Sequence, residues 1–364
     1  MTLSILAIVG ARPNFMKVAP LAWAATKLED VEVKIVHTGQ HYDRNMSELF
    51  FEQLRIPKPV HNLGVGSGSH AVQTAEIMTR FEPVLLKEKP DLVLVVGDVN
   101  STIACAMVAT KLGFPVAHVE AGLRSFDRDM PEEINRVLTD SISDELFVTE
   151  QSGADNLRRE GVPEDRVHFV GNVMIDTLLS CRDLANASDV LDRLGLEKRA
   201  YGVVTLHRPS NVDDPRTLAG IWRALSRISE EMPLVFPVHP RTRRRLSDAG
   251  LQPSDSMRLL EPVGYVDFLK LQADAGMILT DSGGIQEEAT ILGVPCLTLR
   301  RNTERPVTIE VGCNKLVGDD PETITREALA IVRGENPVRK VPKYWDGRAA
   351  ERTIDILVER YGKD

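Results

Sequence analysis

The fold is decided by the stretch Met277-Ile-Leu-Thr-Asp-Ser-Gly-Gly-Ile-Gln-Glu-Glu-Ala-Thr290. A short apolar run ends at Leu279, two glycines follow at 283 and 284, and a helical pattern continues to Leu292. This order predicts a strand, a tight turn and the start of a helix. Backbone N–H groups without partners and the positive end of the helix dipole meet at such a turn, so it favours an anion. The glycines let a phosphate approach the backbone, and Ser282 adds a hydroxyl donor.

Two glutamates stand one turn into this helix, at Glu287 and Glu288. A carboxylate there repels a phosphate, but it accepts hydrogen bonds from neutral hydroxyl groups such as a ribose diol. A phosphate cradle beside a hydroxyl acceptor suggests a nucleotide. The alternative is a well-capped helix with a solvated acidic face.

The length and composition indicate a globular protein of two domains. The chain has 364 residues, of which 43% are hydrophobic and 27% are charged, and one domain usually takes roughly 150 residues. A net charge of −9 argues against nucleic acid as a partner, because binding the phosphate backbone needs a basic surface. No apolar run approaches the ~20 residues of a membrane span.

The N-terminus and the cysteines indicate a cytoplasmic protein. The start, Met1-Thr-Leu-Ser-Ile-Leu-Ala-Ile-Val9, lacks a basic region and resembles a first strand more than a signal peptide. Four scattered cysteines without a Cys-x-x-Cys pair are best explained as buried, reduced thiols. The histidines show no metal-ligand spacing on a helix face, so no zinc site is expected.

Apolar runs of strand length alternate with helical patterns along the whole chain, which predicts an α/β protein with parallel sheets. The expected strands are Leu3–Val9, Val33–Val36, Leu92–Val96, Val116–Val119, Leu146–Val148, Val167–Val170, Gly202–Leu206, Leu234–Val238, Met277–Leu279, Cys296–Leu299 and Lys315–Val317. The polar segment Ser180–Arg199 holds no expected strand and is the best candidate for an inter-domain helix or linker. Ligands of such sheets bind at the carboxyl ends of the strands, and with two domains the natural site is the cleft between them.

Carboxylates follow two of the expected strands. Asp98 ends the strand Leu92–Val96, and Glu120 ends the strand that follows one helix later. If the strands are neighbours, both side chains lie on the same rim, and one of two close carboxylates tends to hold a proton. That arrangement suits paired acid–base chemistry. Glu132 is a third candidate, although Asp129 and Glu132 also have the spacing of a capping box.

Basic residues also follow expected strands. Lys17 and Arg12 come after the first strand. His207 and Arg208 follow a later strand, and His239 with Arg241 follows the next. His207 lies in the same half of the chain as the Ser282 turn, so both can hold a diphosphate. A histidine at a strand end is also commonly a hydrogen-bonding loop residue.

Several motifs in order resemble the non-hydrolysing UDP-N-acetylglucosamine 2-epimerases over nearly the whole chain. They are Gly10-Ala-Arg-Pro13 with Lys17, Gly97-Asp98, His118-Val-Glu120-Ala-Gly-Leu-Arg124, Pro131-Glu132-Glu133-x-Asn135-Arg136, Gly171-Asn172, His207-Arg208, Asp281-Ser-Gly-Gly-Ile-Gln-Glu-Glu288 and Thr303-Glu304-Arg305-Pro306. The resemblance implies two Rossmann-like domains of the GT-B type, with parallel sheets facing each other across a cleft. It also implies a homodimer and a final helix, at about 347–361, that returns to the first domain. The expected domains are residues 1–172 plus 347–364 and residues 173–346.

In this family UDP leaves by elimination across C1–C2, giving 2-acetamidoglucal, and then adds back after protonation from the opposite face. The resemblance implies a UDP-sugar substrate, no cofactor, no metal and a role in polysaccharide biosynthesis. The implied catalytic residues are Asp98, Glu120, Glu132 and His207. The implied substrate-binding residues are Arg12, Lys17, Arg136, Asn172, His239, Arg241, Ser282, Gly283, Gly284, Glu288 and Arg305, with Glu288 on the ribose hydroxyls.

The sequence departs from the family pattern at two places. The substrate-regulated bacterial members carry Gln-His-Arg/Lys-x-Met-Leu-Asp where this chain has Gln40-His-Tyr-Asp-Arg-Asn-Met-Ser47, so substrate activation is not expected. The family's His-Arg-x-Glu-Asn is His207-Arg-Pro-Ser-Asn211 here and lacks the carboxylate. Gly39-Gln-His-Tyr-Asp43 also resembles relatives that act on UDP-2,3-diacetamido-glucuronic acid.

Other functions remain open from the sequence. A hydrolysing epimerase would use the same residues but release UDP and N-acetylmannosamine. A retaining glycosyltransferase of the same fold would have no use for three carboxylates directed at C2. A nucleotide-sugar sensor would keep the Ser282 turn and Glu288 but could dispense with Asp98, Glu120 and Glu132.

Overall fold

The computed structural model describes residues 2–39, 56–335 and 340–362, and the side chain of Arg12 is outside the described part. The segment Gln40–Ser47, on which the expectation about substrate activation rests, also lies outside the described residues. The described chain forms two compact units, residues 1–179 with 343–364 and residues 180–342.

The first unit is built on a parallel sheet in the order β3-β2-β1-β4-β5-β6-β7. Its strands are β1 (Leu3–Val9), β2 (Val31–His37), β3 (His61–Asn62), β4 (Leu92–Val96), β5 (Val116–Ala121), β6 (Glu145–Val148) and β7 (Val167–Phe169). Its helices up to the end of this segment are α1 (Arg12–Ala25), α2 (His70–Glu88), α3 (Asn100–Lys111), α4 (Pro131–Ile142), α5 (Gln151–Arg159) and α6 (Val173–Ser180), with a 3₁₀ turn at Glu164–Arg166. Strands β1 and β4 are buried along almost their whole length, as expected for strands covered on both faces.

The second unit has a parallel sheet in the order β10-β9-β8-β11-β12-β13. Its strands are β8 (Gly202–Thr205), β9 (Leu234–Pro237), β10 (Met257–Leu260), β11 (Met277–Thr280), β12 (Cys296–Thr298) and β13 (Asn314–Leu316). Its helices are α7 (Arg182–Asn186), α8 (Val190–Leu194), α9 (Pro209–Val212), α10 (Pro215–Ser229), α11 (Pro240–Asp248), α12 (Tyr265–Ala273), α13 (Gly283–Leu292), α14 (Val307–Glu310) and α15 (Pro321–Val332). A last helix, α16 (Ala349–Tyr361), belongs to the first unit. The prediction of two Rossmann-like α/β units with parallel sheets is confirmed.

The last helix is attached to the first unit by polar contacts at both ends. Asp176 accepts hydrogen bonds from the backbone N–H groups of Ala349 (3.3 Å) and Ala350 (2.7 Å) at the helix start. At the helix end, Glu145 accepts hydrogen bonds from Arg360 (2.6 Å) and Tyr361 (2.9 Å). The first unit also takes in residues 343–346 and 173–179, which the sequence analysis placed in the second domain.

The segment Ser180–Arg199, predicted to be an inter-domain helix or linker, contains helices and begins at the boundary between the two units. It holds α7 and α8 and lies within the second unit. Val190 and Leu191 are buried in that unit's hydrophobic core. Ser188 donates a hydrogen bond of 2.6 Å to Asp267. The polar composition reflects the exposed face of these short helices, and the buried apolar pair fixes them to the domain.

Candidate active site

The first group of site residues lies at the carboxyl ends of β4 and β5. The two strands are parallel neighbours, as the sequence analysis required, with Val96 opposite Val119. Glu120 is 5% exposed and forms an ion pair with Lys17 of α1, which is 7% exposed. Both charges are largely removed from water, and each compensates the other.

Gly97 makes room for this ion pair. Its φ is +66°, a conformation that favours glycine. A Cβ at this position would lie 2.7 Å from Lys17 Nζ and 3.1 Å from Glu120 Oε2. The glycine before Asp98 is therefore needed both for its backbone angle and for the space that the ion pair occupies.

Glu120 itself has an unusual backbone. Its φ is +75°, and the pairing of β5 with β6 shifts register between Val119 and Ala121. A residue other than glycine in this region costs on the order of 1–3 kcal/mol, and such strain collects at functional sites. The shift redirects the Glu120 side chain at the point where the strand ends.

Asp98 is paired with a cation on α4. Its carboxylate forms an ion pair with Arg136 and is 26% exposed, whereas Arg136 is almost fully buried. Arg136 also binds Glu133 at 2.7 Å, and Asn135 donates to the Asp98 carbonyl at 2.9 Å. The prediction that one carboxylate holds a proton came from their mutual repulsion. Here a separate cation offsets the charge of each, Arg136 for Asp98 and Lys17 for Glu120.

Glu132 does not cap its helix, so the capping-box alternative is wrong. The residue before the helix is Met130, which provides no side-chain cap, and Pro131 occupies the first helical position. Glu133 instead accepts hydrogen bonds from the backbone N–H groups of Ser125 and Phe126, both at 2.9 Å. Among the described residues, the partly buried Glu132 has no hydrogen-bond or ion-pair partner.

Asn172 follows β7 and is 1% exposed. Its Oδ1 accepts a hydrogen bond from Met174 at 2.9 Å, and its Nδ2 has no hydrogen-bond partner among the described residues. A buried donor without a partner is unfavourable, so this amide group is suited to a polar ligand.

The second group lies in the other unit, where β11 meets α13. Ser282 is the residue before the helix, Gly283 and Gly284 form its first positions, and the helix ends at Gly293 with φ +67°. A Cβ on Gly283 would lie 2.8 Å from Glu304 and 2.9 Å from Arg305. Glycine therefore lets these two side chains pack directly beneath the helix start, where the first-turn N–H groups have no partner within the helix.

Asp281 organises the loop that carries His207. It is fully buried and accepts hydrogen bonds from the backbone N–H groups of His207 (3.0 Å) and Arg208 (2.9 Å). It also contacts His207 Nδ1 at 2.9 Å. Burial would raise the pKa of Asp281, but the contacts from His207 and Arg208 outweigh it and hold that pKa below its ordinary value. With Nδ1 held by Asp281, Nε2 of the half-exposed His207 is the nitrogen available to a ligand.

A cluster of buried charges surrounds the start of α13. Arg305 binds Glu287 at 2.7 Å and Glu304 at 2.8 Å. Arg300 binds Glu304 at 2.7 Å, and Arg208 approaches it at 3.5 Å. Burial would raise the pKa of Glu304, yet Arg305 and Arg300 hold it well below its usual range. These arginines offset the buried charges of Glu287 and Glu304, and the N-terminal end of the helix dipole favours an anion at the helix start.

The other residues of this unit that were predicted to bind substrate contact neighbouring protein groups. Glu288 is buried and accepts hydrogen bonds from Gln272 (2.6 Å) and Tyr265 (3.2 Å). His239 caps α11, accepting a 3.3 Å hydrogen bond from the Arg241 backbone, and the Arg241 side chain pairs with Asp213. Glu288 is thus held in a fixed orientation, whereas His239 and Arg241 are exposed.

The structure adds site residues that the sequence analysis did not select. Asp281 and Glu304 lie inside motifs that were recognised, and a carboxylate directly after an apolar strand was the available signal for Asp281. Asn14 accepts hydrogen bonds from Gly10 and Ala11 and donates to Val96, which ties α1 to β4. The role of Asn14 depends on contacts between elements that are far apart in sequence, so no local sequence pattern predicts it.

Two structural findings concern metals and membranes. No group of three or more histidine, cysteine, aspartate or glutamate side chains in the described part of the chain is placed to hold a metal ion. Within residues 2–39, 56–335 and 340–362, no helix has both the length and the apolar character required to cross a bilayer.

Each of the two Rossmann-like units thus carries polar residues at the carboxyl ends of its strands, where α/β proteins of this class bind their ligands. Comparison with known proteins agrees. A family model described as UDP-N-acetylglucosamine 2-epimerase matches residues 24–358. The chain is 46% identical to the UDP-N-acetylglucosamine 2-epimerase of Methanocaldococcus jannaschii, covering 100% of both chains. The protein belongs to the UDP-N-acetylglucosamine 2-epimerase family.

Two further comparisons bear on the substrate. The chain is similar to the crystal structure of Methanocaldococcus jannaschii UDP-GlcNAc 2-epimerase in complex with UDP-GlcNAc and UDP, with a TM-score of 0.91, 45% identity and coverage of 98% of this chain and 100% of the other. It is also 42% identical to the UDP-2,3-diacetamido-2,3-dideoxy-D-glucuronate 2-epimerase of Pseudomonas aeruginosa, covering 98% of this chain and 100% of the relative. Relatives of similar identity therefore act on different UDP-sugars.

Proposed function

We propose that the protein interconverts UDP-N-acetylglucosamine and UDP-N-acetylmannosamine by inversion at C2, without net hydrolysis. The observation that carries this proposal is the pair of carboxylates Asp98 and Glu120 at the ends of neighbouring strands, each with its own buried cation. A binding protein would not need two such carboxylates in addition to an anion site. Membership of the epimerase family supports the same reaction.

The reaction begins with the departure of UDP. The C1–O bond breaks with its electron pair going to UDP, and a carboxylate takes the C2 proton, which leaves a C1=C2 double bond in 2-acetamidoglucal. The C2 proton is not acidic, so C1–O cleavage runs ahead and the diphosphate carries the developing charge. The Ser282–Gly284 turn, His207 Nε2 and the arginine cluster would stabilise it.

UDP then returns to C1, and a proton is delivered to C2 from the opposite face. A single group cannot serve both faces, so inversion requires at least two carboxylates. Asp98, Glu120 and Glu132 fill these roles in the proposal, and Arg136 and Lys17 keep the first two in place. In the same proposal Glu288 binds the ribose hydroxyls, and Arg12, Asn172, His239, Arg241 and Arg305 contact the substrate.

Proton NMR of UDP-N-acetylglucosamine with the enzyme in D₂O tests the proposal. The expected product is UDP-N-acetylmannosamine with deuterium at C2, because the proton lost in elimination is replaced from solvent. If free N-acetylmannosamine and UDP appear instead, the enzyme catalyses the hydrolysing reaction and the proposal is wrong. Epimerisation without deuterium uptake would exclude proton exchange at C2.

A second substrate, UDP-2,3-diacetamido-2,3-dideoxy-glucuronate, is favoured by one feature of the loop after β8. Where the family has a glutamate, this chain has the exposed Ser210, two residues after Arg208. Without that acid, a substrate carrying a uronate carboxylate meets less repulsion. The same D₂O experiment with this sugar, run beside UDP-N-acetylglucosamine, decides between them by the ratio of kcat/KM values.

We also propose that the protein is a homodimer, with helix α4 in the interface. Its buried face is polar and holds Glu133, Arg136, Thr139 and Asp140. Its outer face is apolar, and Ile134, Val137 and Leu138 are 45%, 39% and 46% exposed. An exposed apolar stripe on a helix whose charges face inward fits a second copy of the chain better than water.

Light scattering of Leu138→Glu tests this interface. The variant should be a monomer, whereas Leu86→Glu on α2, which is 48% exposed, should keep the mass of the wild type. If Leu138→Glu remains a dimer, the interface does not include this face of α4. If the wild type is a monomer, the homodimer proposal is wrong.

A further inference from the structure

A buried histidine lies directly beneath the carboxylates of the first unit. His118 is on β5 and is 0% exposed. Its Nδ1 lies 2.6 Å from Asp140 Oδ1, and its Nε2 lies 2.8 Å from the carbonyl oxygen of Gly97. The ring therefore connects helix α4 to the turn that carries Asp98.

The hydrogen-bond partners determine the protonation of this ring. A carbonyl oxygen only accepts hydrogen bonds, and so does an ionised carboxylate. Burial would raise the pKa of Asp140, but hydrogen bonds and charges from His118 and Arg124 outweigh it and keep that pKa below its ordinary value. Both ring nitrogens therefore face acceptors, an arrangement that a doubly protonated ring satisfies.

Arg124 extends the network around His118 and Asp140. Asp140 binds both His118 and Arg124, the latter at 2.6 Å. Arg124 in turn binds Glu160 through two hydrogen bonds of 2.8 and 2.7 Å. Glu160 is exposed, so the buried part of the network consists of Asp140 and its two partners, His118 and Arg124.

His118 acts on Asp98 through the Gly97 carbonyl. The Gly97 C=O and the Asp98 N–H belong to one planar peptide group. The Gly97 N–H is bound to the Val119 carbonyl at 3.0 Å, so both polar groups of Gly97 are held by β5. The hydrogen bond from His118 therefore fixes the plane from which the Asp98 side chain extends.

Asp140 acts on Glu120 from both sides. Its Oδ1 holds His118, two residues before Glu120, and its Oδ2 accepts a 3.0 Å hydrogen bond from the Gly122 N–H, two residues after it. The backbone between these anchors contains the positive φ of Glu120. One carboxylate thus maintains a conformation that glutamate would not adopt by itself.

We propose that His118 and Asp140 form a buried ion pair that positions the acid–base carboxylates Asp98 and Glu120 without touching the substrate. The proposal rests on the proposed function for its effect on turnover, since it assigns those carboxylates to the reaction. His118 and Asp140 are positioning residues, and the charge of the ring is part of the proposal because only the doubly protonated ring donates to both partners.

His118→Gln tests the effect on catalysis, with His168→Gln as the matched control. His168 is also a histidine bound to a glutamate, Glu145, at 2.6 Å in the same unit, but it does not contact the Asp98 turn. Folding is checked by thermal unfolding, and UDP affinity is measured by calorimetry. His118→Gln should lose about 10- to 100-fold in kcat, the effect of displacing reacting groups by about 1 Å, with UDP affinity unchanged within about 3-fold.

The control should keep the kcat of the wild type per folded molecule. Equal losses of stability and of kcat in both variants would mean that His118 has a purely structural role, and an unchanged kcat in His118→Gln would overturn the proposal directly. Asp140→Asn, which keeps the shape but not the charge, should reproduce the loss of kcat.

A second measurement uses the wild-type protein and needs no substrate. NMR of ¹⁵N-histidine-labelled protein should show one slowly exchanging ring with protons on both nitrogens. His37 is the other buried histidine in the described part of the chain, and loss of its signals in His37→Gln identifies it. A buried His118 ring with a single N–H proton would overturn the ion pair, even if His118→Gln fails to fold.

Turnover and the NMR of the histidine rings together distinguish failure of the proposed function from failure of the His118–Asp140 ion pair. If the wild-type protein converts no UDP-sugar, the proposed function fails, and the ring protons alone decide whether the ion pair exists. If turnover is normal and the ring carries one proton, the proposed function stands and this inference fails.

Discussion

Lys17 and Glu120 are 103 positions apart in the sequence and form a buried ion pair directly above Gly97. The lysine comes from the helix after the first strand, and the glutamate comes from the end of the fifth. The space for this pair exists because the residue between them has no side chain.

Gly97→Ala should abolish most of the activity while the protein still folds. The new Cβ would lie 2.7 Å from Lys17 Nζ and would have to displace the ion pair. We expect kcat to fall by about 100-fold or more, with a loss of about 1–3 kcal/mol in the free energy of unfolding. The control is Gly113→Ala, because Gly113 has a similar φ of +78° but nothing within 4 Å of the added Cβ. Equal activities in the two variants would contradict the steric argument.

Asp98→Asn should stop turnover without weakening UDP binding. The amide cannot take or give the C2 proton, and it no longer pairs with the charge of Arg136. General acid–base groups usually contribute about 10²- to 10⁴-fold, so kcat should fall by that order. UDP affinity, measured by calorimetry, should stay within a few-fold. A large loss of UDP binding would assign Asp98 to substrate positioning.

Asp281→Asn should have the opposite profile and weaken UDP binding. The carboxylate holds two backbone N–H groups and His207 Nδ1, and an amide in its place leaves a buried donor facing other donors. Hydrogen bonds to a charged group are typically worth about 1.5–3 kcal/mol of stability each. UDP affinity should drop by at least about 10-fold, while Asp274→Asn, which breaks a 2.9 Å ion pair with Lys270, should leave it unchanged. Normal UDP binding in Asp281→Asn would show that His207 is oriented by other contacts.

The stability of the first unit should depend on pH through Asp176. Burial raises the pKa of Asp176 to about 6, against the backbone hydrogen bonds from Ala350 and Ala349. An acid whose pKa is raised by folding contributes stability that is full below its ordinary pKa of 3.8 and is lost as the pH rises through about 6. Between about pH 5 and about pH 7.5, the wild type should therefore lose about 1 kcal/mol relative to Asp176→Asn. A difference between the two proteins that is constant with pH in chemical denaturation would contradict this.

The long apolar strands were predictable from the sequence because strands buried on both faces require continuous hydrophobic runs. Leu3–Val9 and Leu92–Val96 were predicted with the bounds that the structure has. The edge strands His61–Asn62 and Met257–Leu260 were missed, since they are short and partly polar. Because these two strands are partly exposed, they need no continuous apolar run.

The candidate site was predictable where its residues directly follow a strand, as Asp98 and His207 do. The supporting residues were not. His118 and Asp140 are 22 positions apart, and their contact depends on how the α4 helix turns against β5. Hydrophobic periodicity also fails on α4, whose buried face is charged and whose exposed face is apolar. A rule that places apolar residues in the interior therefore predicts the wrong buried face for this helix.

The first unit contains residues 343–364 as well as residues 1–179. On the ribosome, these late residues are synthesised only after the whole second unit, so the second unit can fold while the first still lacks a helix. Until then, Asp176 and Glu145 have no α16 to bind. We therefore expect the carboxylate-bearing domain to mature last during synthesis, although its first strand is made first.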